Sequence, residues 1–277
     1  MKLIDFDGLF DEKLTQYMEE NKNKHTEKQW EDIIPKLYKK FGDTYIAKLK
    51  CTPKEYYARM SDQELTATLS AHLREDVPVP EFLCAELETR GALETLLPLL
   101  NSEDTQTVSY AINLLGDDAR AFDAYFSILT GNRLDEEIRS DLADIFRMHA
   151  DEIKERAYTT YHSGVAQEYM LEILSRVKER EDRIYETLLE AFLTADEPQS
   201  SMRASYLAAY GDERALPHLL RRIEDRSIGF VEFQELKYAI EALGGEYDEP
   251  RDFTADKDYL AIEAAASKAH EENEQRS

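Results

Sequence analysis

Glycine and proline are scarce in this sequence, ten and eight among 277 residues. So few turn-forming residues argue for long helices and exclude an all-β fold, which needs many tight turns. Cysteine is almost missing. Cys51 and Cys84 stand far apart, outside any CxxC or Cys/His spacing, and are read as reduced, largely buried thiols rather than a disulfide or a metal site. No stretch approaches the ~20 apolar residues that a membrane-spanning helix requires. The opening MKLIDFDGLFDEK is acid-rich and has no apolar core of useful length, so it does not read as a secretory signal and a cytoplasmic protein is expected.

Positive charge is short in only one part of the chain. Residues 1–60 hold 12 Lys and Arg against 11 Asp and Glu, whereas residues 61–277 hold 22 against 47. Eleven of the 16 lysines lie in the first 60 residues. The shift marks a boundary near residue 60. It also argues against nucleic acid and anionic membrane as partners of the larger part, since both need a basic face. With 42% apolar and 33% charged residues, the composition supports both a folded core and a well-solvated surface.

What is present in quantity is helical periodicity, and it recurs. VSYAINLLG, IRSDLADIF, MLEILSRVK, MRASYLAAYG and LKYAIEALGG begin at Val108, Ile138, Met170, Met202 and Leu236, spaced by 30, 32, 32 and 34 residues. In each copy the positions four and seven further on are apolar too, which places three residues on one helical face. A second apolar helix is expected between successive copies, at Ala92–Leu100, Ala121–Leu129, Ile153–Tyr161, Arg183–Leu193 and Ala215–Ile223, each followed by a short polar break. Helix pairs repeating at about 32 residues are the pattern of an α-solenoid, in which neighbours must stack to bury their faces.

LLGDDARAF (Leu114–Phe122), AAYGDERALPHLL (Ala208–Leu220) and EALGGE (Glu241–Glu246) resemble the short HEAT-like repeats, with Leu-Gly closing one unit and Asp, Arg and Ala opening the next. Ile138-Arg139 and Met202-Arg203 resemble the Val-Arg step of that family's second helix. The resemblance implies an all-α, right-handed solenoid and says little about function. Such arrays serve mainly as interaction scaffolds, and some are enzymes. The di-iron hydroxylases among them use several His-Glu pairs, and this chain has one, His270-Glu271. The alkylated-base DNA glycosylases need a basic groove. The bilin lyases share only the repeat.

Residues 1–60 are expected to form a helical cap, with helices near 8–22 and 26–41 and a third from about 53. Thr26 and Gln29 fit a capping box. Residues 61–246 form the array, opening with a helix pair at 61–74 and 79–90 that VPVP divides. Residues 247–277 read as an acidic loop, then an Ala-rich helix fraying into a polar tail.

No phosphate loop, nucleophile elbow or paired-histidine motif occurs. No catalytic, cofactor or metal residues are assigned, and an enzyme is the less favoured class. The acids after Gly116 and Gly211, and those at Asp135–Glu137, sit where helix N-termini favour carboxylates. In YGDERALPHLLRRIEDRS (Tyr210–Ser227), Gly211 is expected to end one helix and Asp212 to cap the next, with Leu216, Leu219, Leu220 and Ile223 facing the core. Arg139, Arg203 and Lys237 share one register and could ladder to acids of a neighbouring unit.

The second helices are expected to line the concave face. Asp141, Asp144, Glu168, Glu172, Arg203, Phe230, Phe233, Glu235, Tyr238 and Glu241 are then candidates for an acidic groove with aromatic anchors, suited to a basic protein or peptide. Two other readings stay open: an inhibitor or immunity-type protein that mimics nucleic-acid charge, and an enzyme on the same scaffold. A monomer is expected, its charge keeping it soluble.

Overall fold

The computed structural model describes residues 3–22, 24–196 and 198–275. The described residues are helical throughout, with one isolated bridge between Ile46 and Cys51 in place of any strand. They divide into two compact units, 1–139 and 140–277.

Unit 1 opens with α1 (Phe6–Glu20), α2 (Glu27–Phe41) and α3 (Pro53–Ala58), followed by α4 (Asp62–Arg74) and α5 (Glu81–Arg90). Three successive helices begin in the same way. The expected Thr26/Gln29 capping box is formed at α2, and Thr52/Glu55 and Ser61/Glu64 repeat it at α3 and α4. Each satisfies two free N–H groups reciprocally, which fixes where the helix starts.

The helix expected over Ala92–Leu100 is broken. Leu93–Leu96 make one α-turn (α6), and Leu97–Asn101 continue as a 3-10 turn. Pro98 supplies no N–H and its ring crowds the preceding turn, so the helix tightens there. Leu93, Leu96 and Leu100 remain buried. Next come α7 (Thr105–Leu115), α8 (Phe122–Thr130) and α9 (Glu136–Met148), the last running across the division between units.

Unit 2 continues with α10 (Ala150–His162), α11 (Gln167–Leu174), α12 (Asp182–Leu193), α13 (Gln199–Tyr210), α14 (Leu216–Ile223), α15 (Phe230–Ala242) and α16 (Lys257–Gln275). Here α10 packs on α11, α12 on α13 and α14 on α15, while α11 also touches α13 and α13 touches α15. All five expected second helices are helical, as α7, α9, α11, α13 and α15. Val108/Ile112, Ile138/Leu142, Met170/Leu174 and Leu236/Ile240 are buried as the spacing requires. The α13 copy keeps that frame only at Tyr206, which is buried. Met202 is exposed and so is Ala209, while Ser200, Ala204 and Leu207 turn inward. Small serines can occupy a close-packed interior face, and here Ser200 and Ser201 do so beside the buried Tyr206 and Tyr210.

The corner at Gly211 forms as expected. Gly211 is left-handed (φ 74°), and the Asp212 carboxylate accepts the Arg214 N–H at 3.1 Å. Pro217 lies in the first turn of α14. Leu219 and Ile223 are buried, while Leu216 and Leu220 are only partly so. The Gly116 corner repeats the device with Asp118 and Arg120, whose N–H is accepted at 2.9 Å. The arginine at that corner holds the Asp118 carboxyl down at about 2.

Arginines tie several stretches to one about thirty residues earlier. Arg90 donates to the carbonyls of Met60 (2.6 Å) and Ala58 (2.9 Å). Arg133 donates to those of Leu100 (2.6 Å) and Ser102, and Arg251 to those of Asp225 (2.9 Å) and Ile223. In each case a guanidinium fork closes carbonyls that a helix end leaves free.

The two free cysteines behave as expected in part: Cys51 is buried and Cys84 half-buried. At the C-terminal end α16 stays helical to Gln275 instead of fraying after its alanines. Its described side chains beyond Tyr259 are exposed.

Candidate functional site

Ten residues mark the face expected from sequence, and the structure divides them. Glu168 is bound by Arg203, whose Nε lies 3.1 Å away and whose Nη1 donates to the Ala191 carbonyl at 2.9 Å. This is the expected ladder, 35 residues long. Arg147 bridges Asp144 and Glu172 in the same manner. Lys237 does not ladder; it sits 3.9 Å from Glu241 on its own helix. Asp144, Glu168 and Glu172 are therefore each already paired with an arginine, two of them sharing Arg147, and Asp144 stays exposed.

Two of the three aromatic anchors are also occupied. Phe233 is buried beneath Tyr247 and Phe253 (centroids 6.0 and 5.1 Å), with the Arg251 guanidinium 4.8 Å over its ring. Phe230 packs edge-on against Phe253 and Tyr259, and its N–H donates to Asp256 Oδ2 at 3.1 Å. Residues 247–259 supply the cover for both, which the local sequence of α15 could not reveal. Glu232, on the same helix, has its side chain wholly buried against Arg222 at 2.7 and 3.1 Å. Asp141, Tyr238 and Glu241 remain open, with Tyr238 61% exposed, and Glu235 is half-buried.

A concave site elsewhere was not legible in the sequence. In unit 1 a cleft of about 960 Å³ is walled by α1, α2, α5 and α7. The i, i+3, i+4 spacing of α1 aligns Asp7, Phe10 and Asp11 on one face. From α2 come Ile34, Pro35, Tyr38 and Lys39. The first turn of α5 adds Glu81, Phe82, Cys84 and Ala85, while Tyr110 comes from α7 and Val79 from the VPVP segment.

Aromatic contacts fix these walls. Tyr38 stacks on Phe82 at 4.8 Å and 6°, and Phe10 meets Tyr38 edge-on at 5.0 Å. The Tyr38 hydroxyl donates to Asp7 Oδ1 at 2.6 Å. Burial and that carboxylate both push the Tyr38 hydroxyl upward, so it stays a donor. Burial pushes the Cys84 thiol up to about 11, with Glu88, Glu81 and Asp7 adding to it. A thiol held protonated is a poor nucleophile, so Cys84 belongs to the wall. Lys54 at the rim is tied to Asp43 at 2.8 Å. Among the described lining residues, Asp7, Asp11 and Glu81 thus outnumber the remaining cation, Lys39.

This arrangement can hold an apolar body between rings and favour a positive charge beside it. Its four aromatics are spread from Phe10 to Tyr110, and no local pattern links them. The excess of lysines in residues 1–60 further disguised a site whose charged lining residues are mainly acidic. Among the described residues, no group of three His, Cys, Asp or Glu side chains is placed to hold a metal ion. No described helix is long and apolar enough to cross a membrane. Set against known family models, curated proteins and solved structures, the sequence finds no match.

Proposed function

We propose that this chain is a non-enzymatic interaction protein that takes a protein segment bearing both basic and aromatic side chains in the cleft of unit 1. One observation carries the proposal. An aromatic wall meets three carboxylates there, while one of the two lining lysines is already paired. Aromatic anchors supply packing area, and uncompensated acids supply steering and selection against acidic partners. The unit 2 face has the charge but Tyr238 as its one open aromatic among the three expected, so it is the weaker surface.

The framework would be a right-handed solenoid of short HEAT-like helix pairs. The alternation of helices, the α11–α13–α15 succession of contacts and the thirty-residue arginine ties support that reading. Identity with that family would explain why one corner chemistry recurs at Asp118 and Asp212.

The test is fluorescence anisotropy with a fluorescein-labelled hexapeptide alternating arginine and tryptophan. Saturable binding that weakens on raising salt is expected, and a glutamate/tryptophan counterpart should not bind. Asp11→Lys with Glu81→Lys should weaken binding at least about tenfold, because two favourable charges become repulsive. Glu235→Lys with Glu241→Lys should leave it unchanged. The opposite pattern would move the site to unit 2, and no binding at any salt would remove the proposal.

A further inference from the structure

Between α1 and α2 runs another groove, of about 270 Å³, which shares Phe10 alone with the cleft. It is lined from α1 at positions 10, 13, 14 and 17, and from the end of α2 and just beyond it at 37, 40, 41 and 44. Both sets follow the i, i+3, i+4, i+7 spacing of one helical face. Phe10, Tyr17 and Phe41 with Leu14 and Leu37 make the groove apolar, and its charged residues are two lysines, Lys13 and Lys40. Lys13 sets its ammonium 5.0 Å over the Phe41 ring. Lys54 at the cleft is tied to Asp43, but no described carboxylate pairs with Lys13 or Lys40.

An occupant that suits this groove brings an apolar or aromatic side chain between negative charges. At ~30 Å³ per water the space equals roughly nine waters, room for one aromatic side chain. This chain displays such a group itself. Tyr238 on α15 is 61% exposed, and Glu235 and Glu241 lie three residues before and after it, on the same side of the helix. The division of charge along the chain fits the same pairing. Eleven of the 16 lysines lie in residues 1–60, while residues 61–277 hold 47 acids against 22 bases.

We infer that the α1/α2 groove of one copy of this chain receives Tyr238 of a second copy, with Glu235 and Glu241 meeting Lys13 and Lys40. Three rings supply packing for a fourth, and two lysines face two carboxylates. The two patches differ, so the contact is heterologous, and each added copy leaves one groove and one tyrosine free. A net charge of −24 on each copy opposes the contact and favours a monomer at low concentration. That repulsion is screened beyond ~8 Å at physiological salt, whereas the paired charges touch. The inference does not rest on the cleft reading.

The test is sedimentation velocity on the full-length protein at physiological ionic strength, from about 10 μM to about 1 mM, the range of weak encounters. Average mass should rise with concentration and pass beyond the dimer. Tyr238→Ser removes an exposed ring and should keep Tm, while Lys40→Glu sets a like charge against the incoming glutamates. Each variant alone should associate at least about tenfold more weakly. Mixed in equal amounts they should form heterodimers and nothing larger, because the first keeps its groove and the second its tyrosine. Monomer at every wild-type concentration, unchanged association in either variant, or no heterodimer in the mixture would overturn the inference. So would association that survives Tyr238→Ser but is lost on truncation after Ala265, which would give the groove to α16.

Discussion

Residue by residue, the acidic surplus of this protein is less free than the sequence suggests. Arg222 and Glu232 show why. The Glu232 side chain is wholly out of water and depends on a two-pronged arginine at 2.7 and 3.1 Å. Removing one partner of such a pair strands a charge, whereas replacing both with apolar residues is often neutral. Arg222→Ala should lower unfolding free energy by about 3 kcal/mol, and Arg222→Met with Glu232→Leu should recover most of it. Urea unfolding measures both; equal losses in the single and double variants would contradict the account. Asp212, by contrast, is legible in the sequence. A carboxylate directly after a glycine and before an arginine is a helix-start signal, and no distant contact is needed to read it.

Elements are legible where their cause is local. The five second helices, the Thr26 capping box and the Gly211 corner all follow from spacing and short-range hydrogen bonds. Sequence and structure part where tertiary contacts decide. Hydropathy places Met202 inward, but in α13 Ser200, Ser201, Ala204 and Leu207 are buried beside Tyr206 and Met202 is left outside. Phe230 and Phe233 look like open anchors because their cover arrives from residues 247–259. That cover has a testable anatomy. Arg251, Phe253, Asp256 and Tyr259 touch α15 or the end of α14, whereas α16 beyond Tyr259 lies exposed. Truncation after Ala265 should leave Tm nearly unchanged. Truncation after Glu249 should uncover Phe233 and free the Ile223 and Asp225 carbonyls, lowering Tm by several degrees and promoting self-association. Differential scanning calorimetry with sedimentation separates the two; equal Tm values would show that the segment is not a structural cover.

At the scale of the whole molecule, charge and pairing act in opposite directions with pH. A net charge of −24 repels itself at neutral pH, and that repulsion relaxes as the solution approaches a pI of about 4.6. Glu155, Glu181, Asp212 and Asp225 are held below the usual carboxylate range, chiefly by hydrogen bonds from Arg183, from Lys154 and Arg183, from Arg214, and from Ser227 respectively. Depressed folded-state values add stability above the unfolded pKa, and it is lost as pH falls through the folded values. Tm should therefore rise gently from pH 7 toward about 5 and fall steeply below about 4, where ordinary carboxylates titrate. A steady decline across the whole range in thermal scans would mean that repulsion contributes nothing.

Location of the binding site is also a whole-molecule matter, since the cleft's walls come from four helices and its charge from acids scattered over the first 81 residues. Hydrogen–deuterium exchange on the full-length protein, with and without saturating arginine/tryptophan hexapeptide, tests it most directly. Slowed exchange concentrated in α1, the second half of α2, and residues 77–86 is the predicted footprint. Protection confined to α11, α13 and α15, or spread evenly over the molecule, would contradict it.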